Sequence, residues 1–264
     1  MQTQAVAGHI VRWLQDYAAS ARAKGFAVGI SGGVDSAVVS ALAARSGLNV
    51  LLLEMPIRQQ ADQVSRAQEH IARLQSAFAN VKSLRADLTP TFNLFADTVN
   101  VDEAEYPAKQ LALANSRARL RMLTLYYYAQ INGLLVAGTG NKIEDFGVGF
   151  FTKYGDGGVD LSPIAGLTKT QVYELAAYLD ILPAIREAVP TDGLWDTERT
   201  DEAQMGASYP ELERAMAAAE AGKTRDDFSG REQEVFDIYT RLNRAAQHKI
   251  RPIPVCEIPP QMLA

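Results

Sequence analysis

Residues 29–36 read Gly-Ile-Ser-Gly-Gly-Val-Asp-Ser, a run with the makings of a phosphate cradle. Phe26, Ala27, Val28 and Ile30 form a short apolar stretch before it, and the Ala-rich segment 36–45 behind it has helical character. A Ser/Gly-rich turn therefore joins a strand to a helix N-terminus. The unpaired N–H groups of such a turn point one way, and the helix dipole adds partial positive charge. Gly32 and Gly33 carry no Cβ to hold an anion away from the backbone. The loop lacks the Gly-Lys-Ser/Thr ending of a Walker loop, and its glycines are adjacent rather than spaced as in a dinucleotide fingerprint. Asp35 stands where a lysine would. An acid in a phosphate cradle repels phosphate unless a cation lies between them, so Asp35 points to Mg²⁺ bridged to phosphate oxygens. The same residues also fit a plain βα turn in which Asp35 and Ser36 cap the helix.

The elements around this loop alternate. Residues 4–22 read as an amphipathic helix with Val6, Ile10, Trp13, Leu14 and Tyr17 at helical spacing. Residues 49–54 are a continuous apolar run, as in a parallel strand covered on both faces. A helix is predicted over 60–78 and a weaker strand over 80–84. Residues 87–106 read as a short helix with loops. The longest helix is predicted over 108–132, where Arg117 and Arg121 share a face and Arg119 lies opposite. Leu120, Leu123, Tyr127 and Ile131 on it suggest burial nearby. A fourth strand is predicted over 133–138. The order implies α/β architecture: a doubly wound, mostly parallel sheet flanked by helices.

Ligands in such a fold sit outside the carboxyl ends of the strands, which is where the 29–36 and 139–145 turns both lie. Glu144 can then approach Asp35 and share one metal ion. Residues 147–160 carry five glycines and two aspartates and read as a shaped loop. Thr168 reads as the N-cap of a helix over 169–179. Lys169 then opposes the helix dipole, which flags it for function. Residues 190–201 form an acidic loop around Trp195. Two helices over 202–208 and 210–220 and a last long helix over 231–247 follow, and a Pro-rich tail closes the chain.

The 264 residues are 47% hydrophobic, enough for a sizeable core. The net charge of −5 gives no electrostatic reason to expect a nucleic-acid partner. The single cysteine, Cys256, can build neither a disulfide framework nor a cysteine zinc site. No signal-peptide pattern opens the chain and no apolar run approaches membrane-spanning length, so the expectation is a soluble, cytoplasmic protein away from membranes. No internal repeat and no boundary of a second domain is visible, so residues 1–264 are read as one domain.

The loop at Ser31-Gly-Gly-Val-Asp-Ser36 resembles the pyrophosphate-binding loop of the ATP-pyrophosphatases, which cleave ATP between its α and β phosphates. With Asn115-x-x-Ala-Arg-x-Arg-Met122, Gly138-Thr-Gly-Asn-Lys-x-Glu144, Phe151-Thr-Lys-Tyr-Gly-Asp156, Lys169-Thr-Gln-Val172, Pro190-Thr191 and His248-Lys249, nearly the whole chain resembles the NAD synthetases. That resemblance implies an adenine-nucleotide alpha-hydrolase-like fold. It also implies a ligase that amidates nicotinic acid adenine dinucleotide (deamido-NAD) with ammonia, using ATP and Mg²⁺ and passing through an acyl-adenylate. By resemblance, Gly29, Ile30, Ser31, Gly32, Gly33, Val34, Asp35 and Ser36 contact ATP, with Thr139, Lys169 and Thr191. Asp35 and Glu144 hold Mg²⁺, and Lys169 neutralises the departing pyrophosphate. Arg119, Lys153, Asp160, His248 and Lys249 match positions that contact deamido-NAD, and Asp156 is the candidate to orient or deprotonate ammonium. The resemblance further implies a homodimer with the dinucleotide near its interface. Free ammonia is the expected donor, because glutamine-using members carry an added amidase domain with a cysteine nucleophile. Ile57 and Gln63 depart from the common pattern, which has an aromatic and an acid there. Two alternatives stand beside this reading: an ATP-pyrophosphatase acting on another substrate, and a nucleotide-binding protein without catalysis.

Overall fold

The computed structural model describes residues 1–191, 193–195 and 199–263. Positions 192 and 196–198 of the acidic 190–201 loop lie outside the described residues. The chain runs α1 (Thr3–Ser20), β1 (Gly25–Gly29), α2 (Val34–Arg45), β2 (Asn49–Glu54), α3 (Ala61–Ala77), β3 (Val81–Arg85), α4 (Thr89–Thr98), α5 (Lys109–Asn132) and β4 (Leu135–Val136). A π-helical turn (Ile143–Val148) follows, then α6 (Lys169–Tyr178), α7 (Pro183–Arg186), α8 (Asp201–Met205), α9 (Tyr209–Glu220) and α10 (Gly230–Ile250).

The four strands pair in the order β3-β2-β1-β4, all parallel. Gly25 faces Asn49 and Gly29 faces Leu53, while Phe26 faces Leu135. The order reverses between β1 and β4, so the crossovers change sides there, as the doubly wound reading expected. Side-chain alternation divides the strands between two faces. Phe26, Val28, Val50 and Leu52 join the core made with α1, α2, α3 and α6. Ala27, Leu53 and Val136 pack on the other face, where α5 lies. α2 is buried nearly all round, which accounts for its alanine-rich composition.

The fourth strand is shorter than the sequence predicts. Gly133 takes a left-handed conformation (φ 67°) to end α5. Past it, Val136 is claimed from outside: its N–H donates to Asp160 Oδ2 at 2.8 Å, and Asp160 N donates back to its carbonyl at 3.0 Å. The edge is closed by that segment, with Ala137 bridged to Leu161, rather than by a longer strand.

A satellite core joins the π-helical turn to α8, α9 and α10 through Ile143, Met205, Leu212, Met216, Phe236 and Tyr239. α6 touches both cores, packing on α2 and on α9. Among the described residues no helix is long and apolar enough to cross a membrane.

Candidate active site

The phosphate loop is held by its own hydroxyls. Ser31 Oγ lies 3.1 Å from Ser36 Oγ and accepts from Gly33 N at 3.2 Å, while Ser36 Oγ donates to the Gly33 carbonyl at 3.0 Å. α2 begins at Val34 and no side chain caps it. Asp35 and Ser36 thus do not cap the helix, and Asp35 points its carboxylate elsewhere. Gly32 has φ +82°, and a Cβ there would meet the Gln63 carbonyl oxygen at 2.5 Å, so only glycine lets the loop sit against α3.

Lys169 begins α6, anchored by a Thr168–Gln171 capping box. Its side chain is turned inward and only 3% exposed. The ammonium stands between two carboxylates, 2.5 Å from Asp35 Oδ2 and 3.0 Å from Glu144 Oε1. Burial by itself disfavours that ammonium, but the two carboxylates outweigh it and hold its pKa above the ordinary lysine range. Burial pushes Asp35 up; the ammonium opposes this and Glu144 adds to it.

Neighbours fix both acids. Asn141, fully buried, donates to Asp35 Oδ1 at 3.3 Å. Its own Oδ1 accepts from Ile143 N and Glu144 N, both at 3.1 Å, and so opens the π-helical turn that carries Glu144. Such turns recur where a helix must re-aim a side chain at a site. Tyr209 Oη lies 2.6 Å from Glu144 Oε1 and 3.1 Å from Asp201 Oδ2. Burial and those two charges push its phenol far above the ordinary range, so it serves as a donor. At Gly140 a Cβ would meet Asp145 Oδ2 at 2.1 Å, so the missing side chain makes room for that acid. Burial and then Glu144, Asp156 and Asp35 push Asp145 up to about 8. Burial likewise pushes Asp156 up to about 6, against a hydrogen bond from Thr152 N at 3.0 Å.

These groups surround a cavity of about 280 Å³ at the carboxyl edge of the sheet. All of 29–36 lines it, with Thr139, Glu144, Asp156, Lys169 and Thr191. The residues expected at ATP and metal are thus brought together. Asp35 and Glu144 offer hard oxygen ligands and already converge on one cation, the Lys169 ammonium, so the pair fits a shared Mg²⁺ completed by waters and phosphate oxygens. The departures at Ile57 and Gln63 also resolve: Ile57 is buried at 1% exposure away from the cavity, whereas Gln63 lines it.

The residues expected at deamido-NAD do not line that cavity. Four of them adjoin one another beside it. Arg119 Nε donates to the Lys153 carbonyl at 3.3 Å, and Lys153 Nζ to the His248 carbonyl at 2.5 Å. Lys249 donates to the Gly149 carbonyl and, at 2.7 Å, to that of Phe151. Asp160 is apart, its carboxylate taken by Val136 N and Tyr126 Oη. Arg117 and Arg121, which share a helix face, both donate to backbone: Arg117 to the Leu194 carbonyl at 2.7 Å and Arg121 to that of Met55 at 3.1 Å.

Matches with known proteins show the family. The family model described as NAD synthase matches residues 6–253. The chain belongs to the NAD synthase family. It is a ligase. The NH(3)-dependent NAD(+) synthetase of Carboxydothermus hydrogenoformans is 39% identical over 243 residues, 92% of this chain and 93% of that one. Among solved structures, the NMN synthetase of Francisella tularensis superposes with a TM-score of 0.84 at 30% identity, covering 98% of this chain and all (100%) of the other. The NH3-dependent NAD synthetase of Campylobacter jejuni, at 24% identity and a TM-score of 0.77 over 97% of this chain, shares the fold.

Beyond the expected residues, the NAD synthase site contains Tyr209, Asp201, Asn141 and Asp145. The 138–144 motif includes Asn141, but nothing local in the sequence says that Asn141 meets Asp35 or that Tyr209 meets Glu144. The sequence flagged Lys169 for function, as a lysine placed against its helix dipole, and brought Glu144 toward Asp35, but it did not show the ammonium buried between them.

Proposed function

We propose that the chain amidates the nicotinate carboxylate of deamido-NAD with ammonia to give NAD, using ATP. The observation that carries this reading is the buried Lys169 ammonium between Asp35 and Glu144, beside an uncapped helix N-terminus that can receive phosphate.

The chemistry requires activation, since a carboxylate would have to expel oxide. A carboxylate oxygen attacks the α-phosphorus of ATP, the bond to the bridging oxygen of the β-phosphate breaks, and pyrophosphate leaves. Ammonia then attacks the acyl carbon, AMP departs with the electron pair of the acyl–oxygen bond, and the nitrogen loses a proton as the amide forms. The loop N–H groups from Gly29 to Ser36 orient the departing phosphates, and Lys169 neutralises their charge. Thr139 and Thr191, at the cavity wall, position the nucleotide. Mg²⁺ held by Asp35 and Glu144 would draw charge off the phosphates. Asp156, buried and able to take up a proton near neutrality, orients or deprotonates ammonium. Arg119, Lys153, Asp160, His248 and Lys249 receive the dinucleotide outside the ATP cavity.

A homodimer belongs to this reading. Leu123, Tyr127 and Ile131 of α5 are 62%, 61% and 62% exposed on one helical stripe, although the sequence suggests burial for them. An apolar stripe of this kind supports pairing with a second copy.

The relative from Francisella tularensis, named NMN synthetase, favours a second reading in which the acceptor is the mononucleotide. A steady-state assay with ATP, Mg²⁺, either ammonium or glutamine, and either deamido-NAD or nicotinic acid mononucleotide tests both. NAD formed from deamido-NAD and ammonium is the expected result. Turnover with the mononucleotide alone would replace the substrate, and AMP release with neither would return the acceptor to the wider ATP-pyrophosphatases.

A further inference from the structure

The geometry points to Arg66 as a pyrophosphate-binding residue: a guanidinium on α3, outside the loop motif, that takes hold of the leaving phosphates. The inference rests on the reading that ATP is cleaved at this loop.

Among the described residues, three cations line the cavity, Lys169, Arg66 and Arg121, against six acids, Asp35, Glu54, Glu144, Asp145, Asp156 and Asp201. A polyanionic phosphate chain entering such a wall gains from positive charge beyond the loop dipole, one lysine and the Mg²⁺ that Asp35 and Glu144 would hold. Lys169 is tied to two carboxylates. Arg121 is tied to the Met55 carbonyl and to Gln59 Oε1 at 2.8 Å.

Arg66 is placed differently. Gln63, Arg66 and Ala67 share the face of α3 on which the phosphate loop rests; the would-be Cβ of Gly32 meets Gln63 O at 2.5 Å and Ala67 N at 3.4 Å. Arg66 Nε points at the Gly32 carbonyl from 3.4 Å, and the side chain is 19% exposed. Among the described residues its one acidic partner is Asp62, 2.6 Å from Nη1 but 60% exposed. An i, i+4 pair with so wet a carboxylate is weak, so a phosphate arriving at Gly32 displaces Asp62 easily. The planar fork of an arginine suits two phosphate oxygens at once.

Isothermal titration with Mg²⁺ and inorganic pyrophosphate, and then with Mg²⁺ and ATP, tests this on the full chain, in parallel with amidation kinetics. Arg66→Gln is expected to weaken pyrophosphate binding about tenfold or more, the equivalent of one charge-assisted hydrogen bond, and to raise KM for ATP similarly. KM for ammonium should stay within about twofold, and Arg66→Lys should recover part of the loss. Asp62→Asn separates ligand binding from a mere brace, because it frees the guanidinium. Pyrophosphate should then bind as tightly as to the unaltered protein or more so. Equal weakening in Asp62→Asn and Arg66→Gln would overturn the proposal in favour of a structural pair. Unchanged pyrophosphate and ATP binding in a folded Arg66→Gln would overturn it and leave amidation intact. Loss of pyrophosphate binding in Arg66→Gln, in a protein whose unaltered form binds pyrophosphate but does not amidate deamido-NAD, would uphold Arg66 and overturn the substrate.

Discussion

Lys169 Nζ lies 2.5 Å from Asp35 Oδ2, across 134 positions of sequence. One residue opens the sixth α-helix and the other lies near the end of the phosphate loop, in the first turn of α2, so the ion pair ties the two ends of the site together. It also sets a balance in which two acids face one ammonium, so the trio carries one net negative charge, and a Mg²⁺ ion added there would leave one positive charge for phosphate oxygens to meet.

Removing the ammonium exposes that balance. Lys169→Met leaves Asp35 and Glu144 facing each other without their buried counter-ion, which is expected to lower stability by about 3 kcal/mol in Mg²⁺-free buffer. Added Mg²⁺ should raise the melting temperature of this variant more than that of the unaltered chain. Equal melting temperatures without Mg²⁺ would show that the pair contributes nothing to the fold.

Asp35→Asn and Glu144→Gln keep the shape of the side chains and remove the charge a metal needs. Both should melt cooperatively and lose turnover by about 10²-fold or more. The measurement is kcat against Mg²⁺ concentration. Full activity of both variants at limiting Mg²⁺ would refute the metal assignment.

His70 makes stability depend on pH away from the site. It is 1% exposed, and its Nε2 lies 2.8 Å from Ser40 Oγ, on the helix that follows the phosphate loop. Ser40 Oγ donates to the Ala37 carbonyl at 3.0 Å, which leaves it to accept from His70 Nε2–H. Burial, with Arg73 adding to it, pushes the histidine down to about 4. The unfolded chain takes up the proton near pH 6.5 and the folded chain only near 4. The stabilisation is therefore complete above 6.5 and declines as pH falls toward 4, by about 3 kcal/mol in all. Urea titrations at pH 7, 6 and 5 should show this slope, and His70→Gln should flatten it. An unchanged slope in that variant would assign the acid sensitivity to other groups.

The exposed stripe on α5 gives a mass to measure. Sedimentation should find twice the 28.8 kDa of one chain, and Tyr127→Glu with Leu123→Glu should bring it to the single-chain value. A monomeric unaltered chain at micromolar concentration would remove the partner copy from the proposed reaction.

The phosphate loop and its flanking strand and helix were legible because every signal for them is local: an apolar run, adjacent glycines, an alanine-rich stretch. The second strand was legible for the same reason. The fourth was not read at its true length, because its edge is claimed by Asp160, 24 positions away. α7, four residues begun by Pro183, is too short to show a period. Tyr209 and Asp201 sit near a capped helix start, and their meeting with Glu144 depends on how the satellite core docks. Arg66 reads as part of the polar side of an amphipathic helix until the loop is seen resting beside it.

Asp35 is carried by α2, which packs in the main core, and Glu144 by the π-helical turn of the satellite core, with Lys169 between them. Opening of the α9–α10 hairpin would withdraw Tyr209 and loosen Glu144 while the phosphate loop kept its shape. Catalytic competence is then a cooperative unit smaller than the whole molecule, and its free energy of opening is capped by that hairpin rather than by global unfolding. Amide exchange in α9 and α10 should therefore report how much of the population is poised to react, and nucleotide that reaches both carboxylates through Mg²⁺ would slow it from a distance.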